Sequence, residues 1–351
     1  MAIDLIGWDI GGAHLKAVAM EGAQIVNVLQ KPCPLWLGLD HFHTALNAIL
    51  GELKPVADCR HAVTMTGELA DLFSNREEGV FGLLNAFGEH VLIENVLVFA
   101  GFVGFLPASS VKTKDVPVIA SANWLATGFY AASKLDQGLL IDIGSSTSDL
   151  LALRHGEVLS RGYSDFERLR HGELVYSGVV RTSLMSLTKL APFEGDWIGL
   201  MAEHFATTAD VYRLTGELPE YADQSPTADG GAKTVTASAR RIARLLGRDL
   251  ESSTQEAWKQ LACYFREQQL DYLMEACMRQ LSLGWLDLDA SIIGAGVGRF
   301  LVQELAKRLG LNYLDFADLY PMKSSASQFN LADCAPALAV ARLARQQQFS
   351  F

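Results

Sequence analysis

Two short stretches, far apart in the sequence, combine carboxylates, glycines and small polar residues in the same order. They are Asp9-Ile10-Gly11-Gly12-Ala13-His14-Leu15-Lys16 and Asp142-Ile143-Gly144-Ser145-Ser146-Thr147-Ser148-Asp149. Because glycine has no Cβ, it lets backbone amides approach a phosphate closely. A carboxylate at the end of a strand can hold a hydrated Mg²⁺. The two stretches therefore predict a pair of phosphate-binding turns.

Each residue type in these turns has its own predicted role. Asp9 and Asp142 would hold the metal, and Lys16 would neutralise a phosphate oxygen. Asp149 is a further candidate metal ligand, because it brackets the second turn together with Asp142. The candidate phosphate ligands are Gly11, Gly12, Gly144, Ser145, Ser146 and Thr147. An ordinary Gly-rich hairpin and a Ser-rich turn capped by Asp are the alternatives that need no ligand.

A third glycine motif lies near the end of the chain. The run Gly294-Ala295-Gly296-Val297-Gly298 stands between a predicted strand and a predicted helix. Gly294 and Gly296 would let a base or ribose approach the backbone, and the helix dipole would favour an anion there. Close packing between helix and sheet explains the same glycines equally well.

The residues around the first two turns predict the elements that hold them. Each turn follows an apolar strand and precedes a second apolar run, at Leu15–Met20 and at Asp149–Leu153. A third run follows another turn in each copy, at Gln24–Leu29 and Glu157–Ser160. Strand, turn, strand, turn, strand is an antiparallel meander. Its recurrence predicts an α/β protein with two related domains.

The predicted domains divide the chain near residue 135. We expect a first domain at 1–135 and a second at 136–330, which holds the second turn, an insertion and the glycine motif at 294–298. A C-terminal helix at about 331–351 is expected to pack back on the first domain. The length of 351 residues agrees with two domains of roughly 150 residues each.

Apolar spacing predicts several further elements. They are a helix capped by Asp40 and running to Leu53, buried strands at His61–Thr66 and Val116–Ser121, a long helix with Trp258–Ala276 on one face, and a mobile loop at Ala222–Thr234.

Composition excludes several classes of function. The chain has 29 Lys and Arg against 40 Asp and Glu, a net charge of −11, so it should repel nucleic acid and anionic membranes. The longest apolar run, Val96–Ala108, is broken by glycine and proline and is shorter than the ~20 residues of a spanning helix.

Five cysteines without a CxxC pair, and a beginning unlike a signal peptide, favour a cytoplasmic protein. The expected partner is a small phosphorylated molecule, and a homo-oligomer is left open.

Together the three glycine motifs resemble those of the actin, sugar kinase and heat-shock chaperone superfamily. The resemblance implies two ribonuclease H-like domains with a ligand cleft between them, each supplying a phosphate hairpin to a Mg-nucleotide. The second turn is similar to the form Asp-x-Gly-Gly-Gly-Thr-x-Asp, with Thr147 and Asp149 in register. The first departs from the kinase form Asp-x-Gly-x-Thr-x-x-Lys, because Ala13 stands where Thr is expected while Lys16 is kept. This departure speaks against ordinary handling of an ATP γ-phosphate.

A narrower resemblance covers nearly the whole chain. Besides the first turn, it is carried by Val63–Asp71, Ala120–Trp124, His171–Tyr176, Phe205–Tyr212 and Asp223–Gly230. These segments resemble the hydantoinase A/oxoprolinase-like proteins of the tetrahydromethanopterin-linked C1-transfer pathway. The resemblance implies a transferase of methanofuran- or methylofuran-type cofactor biosynthesis. Such an enzyme joins a furanylmethyl diphosphate to a tyrosine or tyramine phenol and releases pyrophosphate.

The same residues leave other functions open. An ATP-dependent kinase or hydrolase is one alternative, and a nucleotide-regulated binding protein without turnover is the second. Mg²⁺ is the expected cofactor, with ATP as an alternative ligand. The candidate catalytic residues are Asp9, Lys16, Asp142 and Glu68, where Glu68 or else His14 would act as the base for the phenol.

Overall fold

The structure, a computed structural model, describes residues 2–320 and 329–347. The strands are β1 (Leu5–Ile10), β2 (His14–Glu21), β3 (Gln24–Pro32), β4 (Arg60–Met65), β5 (Val96–Phe99), β6 (Phe105–Pro107), β7 (Gln137–Ile143), β8 (Ser148–Arg154), β9 (Glu157–Leu159), β10 (Leu174–Val175), β11 (Leu190–Phe193), β12 (Asp196–Gly199), β13 (Ser291–Ala295) and β14 (Tyr313–Asp315). The helices are α1 (Leu39–Leu53), α2 (Arg76–Gly88), α3 (Val116–Ile119), α4 (Asn123–Ala132), α5 (Asp165–His171), α6 (Thr208–Thr215), α7 (Val235–Leu245), α8 (Gln255–Leu281), α9 (Arg299–Leu309) and α10 (Ala335–Gln347).

The chain forms two compact units. Unit 1 comprises Met1–Gln137, Leu153–Leu159 and Asp315–Phe351, and unit 2 comprises Gly138–Ala152 and Ser160–Leu314. The last part of the expected C-terminal helix, 348–351, and the end of the expected second domain, 321–328, lie outside the described residues.

Unit 1 is built on a six-stranded sheet with the order β3-β2-β1-β4-β5-β6. Strands β1, β2 and β3 form the antiparallel meander, whereas β4 runs parallel to β1 and β5 parallel to β4. Buried Trp8 and Ile10 of β1 share one core with Phe42 of α1 and Phe87 of α2. Helix α10 packs against β1, where a Cβ on Gly7 would lie 2.1 Å from the carbonyl oxygen of Ala337. The glycine therefore permits the helix to approach the strand.

Unit 2 is built on a sheet with the strand order β10-β8-β7-β13-β14. Strand β13 runs parallel to β7 and ends with Ala295 opposite Asp142. Helix α8 packs against α6 and α7, and Trp258 of α8 stacks on Phe193 of the separate β11–β12 hairpin. The second predicted turn thus lies at the end of a central strand.

The predicted α/β class, with two units each built around a sheet, is confirmed. The strand at His61–Thr66 and the helices at Phe42–Leu53 and Trp258–Ala276 are also confirmed, as β4, α1 and α8. Helix α1 has Gly38, and not Asp40, at its N-cap. None of the described helices has the length and apolar character needed to cross a bilayer.

The predicted strand at Val116–Ser121 is wrong. These residues form the short helix α3, which carries Pro117 in its first turn and ends before Ser121. Proline is compatible with the first turn of a helix because no intrahelical acceptor is needed there. The β-branched residues of this segment favour a strand, but the proline is placed as at the start of a helix, and a helix forms.

Candidate phosphate-binding turns

The first predicted turn, hairpin 1, joins β1 to β2 in unit 1. It is closed by the amide of Gly11, which donates to the carbonyl of His14 at 3.0 Å. The amides of Gly12 and Ala13 donate to no acceptor within residues 2–320 and 329–347. A Cβ on Gly12 would meet no atom within 4 Å, so this edge of the turn faces open space. Hairpin 1 therefore presents two adjacent N–H donors, as an anion site requires.

The carbonyl side of hairpin 1 is fixed by the segment after β3. The amides of Cys33 and Leu35 donate to the carbonyls of Ala13 at 2.8 Å and Gly12 at 3.0 Å. Because its carbonyls are held, the backbone of the turn is fixed by contacts within unit 1. The geometry needs no ligand to form, and so it is preorganised for one.

Asp9 and Lys16 lie opposite each other in the ladder between β1 and β2. The Asp9 side chain is buried at the end of its strand, with the residue 5% exposed. The Lys16 ammonium donates to the carbonyl of Asp333, just before α10, at 2.9 Å. That contact gives Lys16 a structural partner, and its contact with a phosphate stays a prediction.

A second buried carboxylate lies beside hairpin 1. The amide of Thr66 donates to the carbonyl of Ile10 at 2.9 Å, and Gly67 packs directly on Ile10. The following residue, Glu68, is 1% exposed and accepts a hydrogen bond from the Ser121 hydroxyl at 2.8 Å. Glu68 is thus fixed at the edge of the unit 1 sheet where the parallel strands β1 and β4 end.

Ser121, the partner of Glu68, has a left-handed backbone with φ +53°. A non-glycine residue in this region carries strain of order 1–3 kcal/mol, and such strain occurs at ligand sites and switches.

The other candidate base, His14, is buried at the start of β2.

The second predicted turn, hairpin 2, joins β7 to β8 in unit 2 and repeats the first. The amide of Gly144 donates to the carbonyl of Thr147 at 2.9 Å, as Gly11 does to His14. The amides of Ser145 and Ser146 donate to no acceptor in the part of the chain that the structure describes. Both hairpins therefore leave two consecutive amides without an acceptor from the described residues, at the same position of the turn.

Hairpin 2 is wrapped by the segment 178–182. The amides of Val180 and Arg181 both donate to the Ser145 carbonyl, at 3.1 and 2.8 Å. A Cβ on Gly178 would lie 2.4 Å from the Ser146 amide nitrogen, so only glycine fits there. The Arg181 Nε–H donates to the Ser146 hydroxyl at 2.6 Å. An exposed guanidinium thus stands at the turn that was predicted to bind phosphate.

The glycines of the third motif are explained by packing. A Cβ on Gly294 would lie 2.7 Å from the Tyr313 ring, and one on Gly296 would lie 2.4 Å from a carboxylate oxygen of Asp142. Gly296 also has φ +77°. The motif therefore makes room for the Asp142 carboxylate at the end of β7, and nucleotide binding by Gly294 and Gly296 stays a prediction.

Asp149, the third candidate metal ligand, has a different environment. It pairs with Arg168 at 2.8 Å, and the Arg168 side chain is 1% exposed. Burial raises the pKa of the Asp149 carboxyl, while the charge and hydrogen bond of Arg168 lower it. Asp149 thus neutralises a buried cation, a role that does not need a metal.

The loop expected to be mobile, Ala222–Thr234, contains no strand and only the end of a short helical turn. Ion pairs hold it: Asp223 contacts Arg213 at 2.6 Å and Lys233 at 3.3 Å, and Asp229 contacts Arg241 at 3.2 Å. Composition gave no sign of these attachments, because their basic partners lie mostly on neighbouring helices.

Comparison with known families decides the relationship of the chain. A family model described as hydantoinase/oxoprolinase matches residues 60–343, well over half of the sequence. The chain belongs to the hydantoinase/oxoprolinase family. The match includes Glu68, hairpin 2 and Arg181, whereas hairpin 1 precedes it.

Two relatives of this hydantoinase/oxoprolinase chain are named (4-{4-[2-(gamma-L-glutamylamino)ethyl]phenoxymethyl}furan-2-yl)methanamine synthase. The protein from Methanocaldococcus jannaschii is 31% identical over 252 residues, 72% of this chain and 74% of its own length. The protein from Methanococcus vannielii is 24% identical over 193 residues, 54% of this chain and 86% of its own length. A solved structure of a ROK family glucokinase from Streptomyces griseus, with glucose and AMPPNP, aligns over 97% of this chain and 99% of its own at 14% identity and a TM-score of 0.49.

Arg181 is the main site residue that sequence reasoning missed. It belongs to none of the glycine motifs, and it lies a few residues after the segment His171–Tyr176. That segment resembles the hydantoinase/oxoprolinase family, but its resemblance does not indicate which neighbouring residue reaches hairpin 2.

Proposed function

We propose that the chain is a transferase that forms an aryl furanylmethyl ether in the biosynthesis of a methylofuran-type C1 carrier. The observation that carries the proposal is the 31% identity, over 72% of this chain, to a synthase whose named product has a phenoxymethyl group on a furan ring. Joining a phenol oxygen to a furanylmethyl carbon makes that ether bond.

The reaction balances with a diphosphate as leaving group. The bond between the furanylmethyl carbon and the diphosphate oxygen breaks, the phenol oxygen bonds to the same carbon, and the phenol proton is released. The furan ring stabilises the developing cation. The main task of the protein is therefore to stabilise departing pyrophosphate with preorganised donors.

The two hairpins support this task. Each has two consecutive amides with no acceptor among the described residues, at Gly12 and Ala13 and at Ser145 and Ser146. Arg181 adds a positive charge at hairpin 2, and guanidinium groups suit phosphate oxygens because they can donate two parallel hydrogen bonds. None of these groups needs to act as a kinase base.

The residues present fit a magnesium ion of the hydrated kind. Among the described residues there is no group of three or more His, Cys, Asp or Glu side chains able to hold a metal. Mg²⁺ bound to a diphosphate needs only one or two protein carboxylates, since it keeps several waters. Asp9 in unit 1 and Asp142 in unit 2 would each supply one such ligand within its own unit, and the ion would neutralise charge on the leaving group. Asp149 is the poorer candidate because Arg168 holds it.

Glu68 is the proposed acceptor of the phenol proton. A phenol has an ordinary pKa near 10, so its ionisation at neutral pH needs a base. Glu68 is a buried carboxylate with one oxygen oriented by Ser121.

The experiment uses ³¹P NMR on the purified protein with Mg²⁺. It is given a furanylmethyl diphosphate with a tyramine-containing phenol, each substrate alone, and ATP alone. Pyrophosphate that forms only with both substrates supports the transferase. ADP from ATP alone would favour the kinase or hydrolase. Ala13 disfavours that alternative, because the kinase motif has Thr at this position. ATP binding without turnover of any substrate would favour the regulatory binding protein.

A further inference from the structure

A cavity of about 580 Å³ lies within unit 2, apart from the two hairpins. Its walls combine apolar side chains with charged ones, among them Met201, Phe205, Leu245, Arg244, Glu203 and Asp249. Ligand pockets for small molecules typically have volumes of about 300–1,000 Å³, with a few polar groups on an apolar lining. The cavity therefore has the size of a ligand pocket, and six of its eleven lining residues are charged.

Three arginines and three carboxylates line this cavity, and part of that charge is already compensated. Arg241 pairs with Asp229 at 3.2 Å, and Arg248 pairs with Glu194 at 3.2 Å. The side chains of Arg244, Glu203 and Asp249 make no ion pair within residues 2–320 and 329–347. One cation and two anions thus face the cavity without a charged partner from the described chain.

The helix that carries Arg244 is held firmly. Arg241, one turn earlier on α7, donates to the buried carboxylate of Asp210 at 3.0 Å from Nε and 2.7 Å from Nη2. The Ser238 hydroxyl donates to the same Asp210 oxygen at 2.7 Å. These contacts tie α7 to α6, so Arg244 is presented from a fixed backbone.

The cavity is connected to hairpin 2 by main-chain hydrogen bonds. Ala206, which lines the cavity, accepts from the Leu184 amide at 3.0 Å, and the Ala209 amide donates to the Val180 carbonyl at 3.2 Å. The Val180 amide in turn donates to Ser145 of hairpin 2 at 3.1 Å. One continuous backbone network within unit 2 therefore supports both the proposed phosphate turn and the cavity.

We propose that this cavity binds an amino-acid zwitterion, the γ-glutamyl end of a phenolic acceptor. The inference rests on the proposed function, because the product named for the relatives carries a γ-L-glutamylamino group. The α-carboxylate pairs with Arg244, and the α-ammonium is attracted by Glu203 and Asp249. The apolar walls at Met201 and Phe205 pack against the carbon chain that leads to the phenol.

The test compares two ligands that share the phenol and the amide, of which only one carries the zwitterion and the short carbon chain that leads to it. They are γ-glutamyltyramine and N-acetyltyramine, titrated calorimetrically into the wild-type protein and into Arg244→Gln. The matched control is Arg240→Gln, since Arg240 is an exposed arginine of the same helix that does not line the cavity.

The wild-type protein and Arg240→Gln are expected to bind γ-glutamyltyramine at least tenfold more tightly than N-acetyltyramine, because charge-assisted hydrogen bonds would be made only with the first ligand. Arg244→Gln is expected to lose that preference and to keep its affinity for N-acetyltyramine. A preference that survives in Arg244→Gln, or that is absent from the wild type, would overturn the proposal. If the preference follows Arg244 but no ether forms from the diphosphate, the cavity assignment stands and the transferase assignment fails.

Discussion

The Arg181 guanidinium donates through Nε to the Ser146 hydroxyl at 2.6 Å, which places a positive charge on the turn between β7 and β8. The Arg181 amide also donates to Ser145, so both its backbone and its side chain are attached to hairpin 2. A glycine- and serine-containing turn thus gains a positive charge, which the proposed binding of a diphosphate requires.

Replacing this guanidinium should weaken anion binding without unfolding the protein. Arg181→Gln is expected to weaken the binding of inorganic pyrophosphate about tenfold or more, because a hydrogen bond to a charged group contributes roughly 1.5–3 kcal/mol. Calorimetry on the variant and on Arg161→Gln, an exposed arginine elsewhere in unit 2, checks this. Equal affinities in the wild type and both variants would show that Arg181 does not bind the anion.

The tight contact behind hairpin 2 gives a second prediction. Gly178→Ala places a Cβ 2.4 Å from the Ser146 nitrogen, so the turn must shift. We expect a lower melting temperature and weaker pyrophosphate binding in this variant. Gly199→Ala is the control, since a Cβ there meets no atom within 4 Å. If both variants bind pyrophosphate as the wild type does, the geometry of hairpin 2 is not what binds the anion.

Two aspartates that bracket hairpin 2 should respond differently to the same change. Asp149→Asn leaves Arg168 charged and buried without its partner. Breaking such a buried pair lowers the free energy of unfolding by about 3–5 kcal/mol. Asp142→Asn should preserve the melting temperature and abolish the Mg²⁺-dependent reaction. Thermal unfolding and turnover, measured on both variants, separate the two roles. Wild-type turnover in Asp142→Asn would contradict the metal assignment.

The base assignment predicts a characteristic pH dependence. Glu68→Gln should lower the rate at pH 7 by at least about 100-fold, the smaller end of general-base effects. The rate of this variant should then rise toward pH 10, because the phenol begins to ionise without help. Ser121→Ala, which removes the hydroxyl that orients Glu68, is expected to lower kcat more than it changes KM. A pH–rate profile of Glu68→Gln with the wild-type shape and magnitude would exclude Glu68 as the base.

A buried histidine of unit 1 should make the protein less stable in mild acid. Trp8 donates to Nδ1 of His61 at 3.1 Å, and burial lowers the His61 pKa to about 4. The unfolded chain, with a pKa of 6.5, binds the proton first, so stability falls as the pH drops from about 6.5 to about 4. Over this range the free energy of unfolding falls by about 3 kcal/mol in total.

Denaturant unfolding across this pH range measures the effect. His61→Asn keeps an acceptor for Trp8 but does not titrate, so its stability should fall less steeply between pH 6.5 and 4. Parallel curves for the wild type and the variant would show that other groups cause the acid sensitivity.

Local sequence signals were sufficient to predict the two hairpin turns. Both are closed by short-range contacts, Gly11 to His14 and Gly144 to Thr147, and glycine after an apolar strand indicates such contacts directly. Helix α1 and strand β4 were also predicted correctly, since their apolar spacing is regular. Local composition misled where a special residue intervened, as Pro117 does in α3.

Contacts between distant residues were not visible in the sequence. Asp149 is a candidate metal ligand because it brackets the second turn, and nothing in the spacing indicates that Arg168 folds back on it. The contact between the Lys16 ammonium and the carbonyl of Asp333 was not indicated either. Arg181 was overlooked for the same reason. The residue types at a site can be inferred locally, whereas their partners depend on tertiary packing.

The most direct test of ether formation is the fate of the oxygen that joins carbon to phosphorus in the furanylmethyl diphosphate. With ¹⁸O at this bridging position, the substrate is converted in the presence of the phenol, and the products are analysed by ³¹P NMR and mass spectrometry. Alkyl transfer breaks the carbon–oxygen bond, so we predict that all the label leaves in pyrophosphate and none remains in the ether. Label retained in a furanylmethanol, with phosphate passed to another acceptor, would show phosphoryl transfer and would contradict the proposed function.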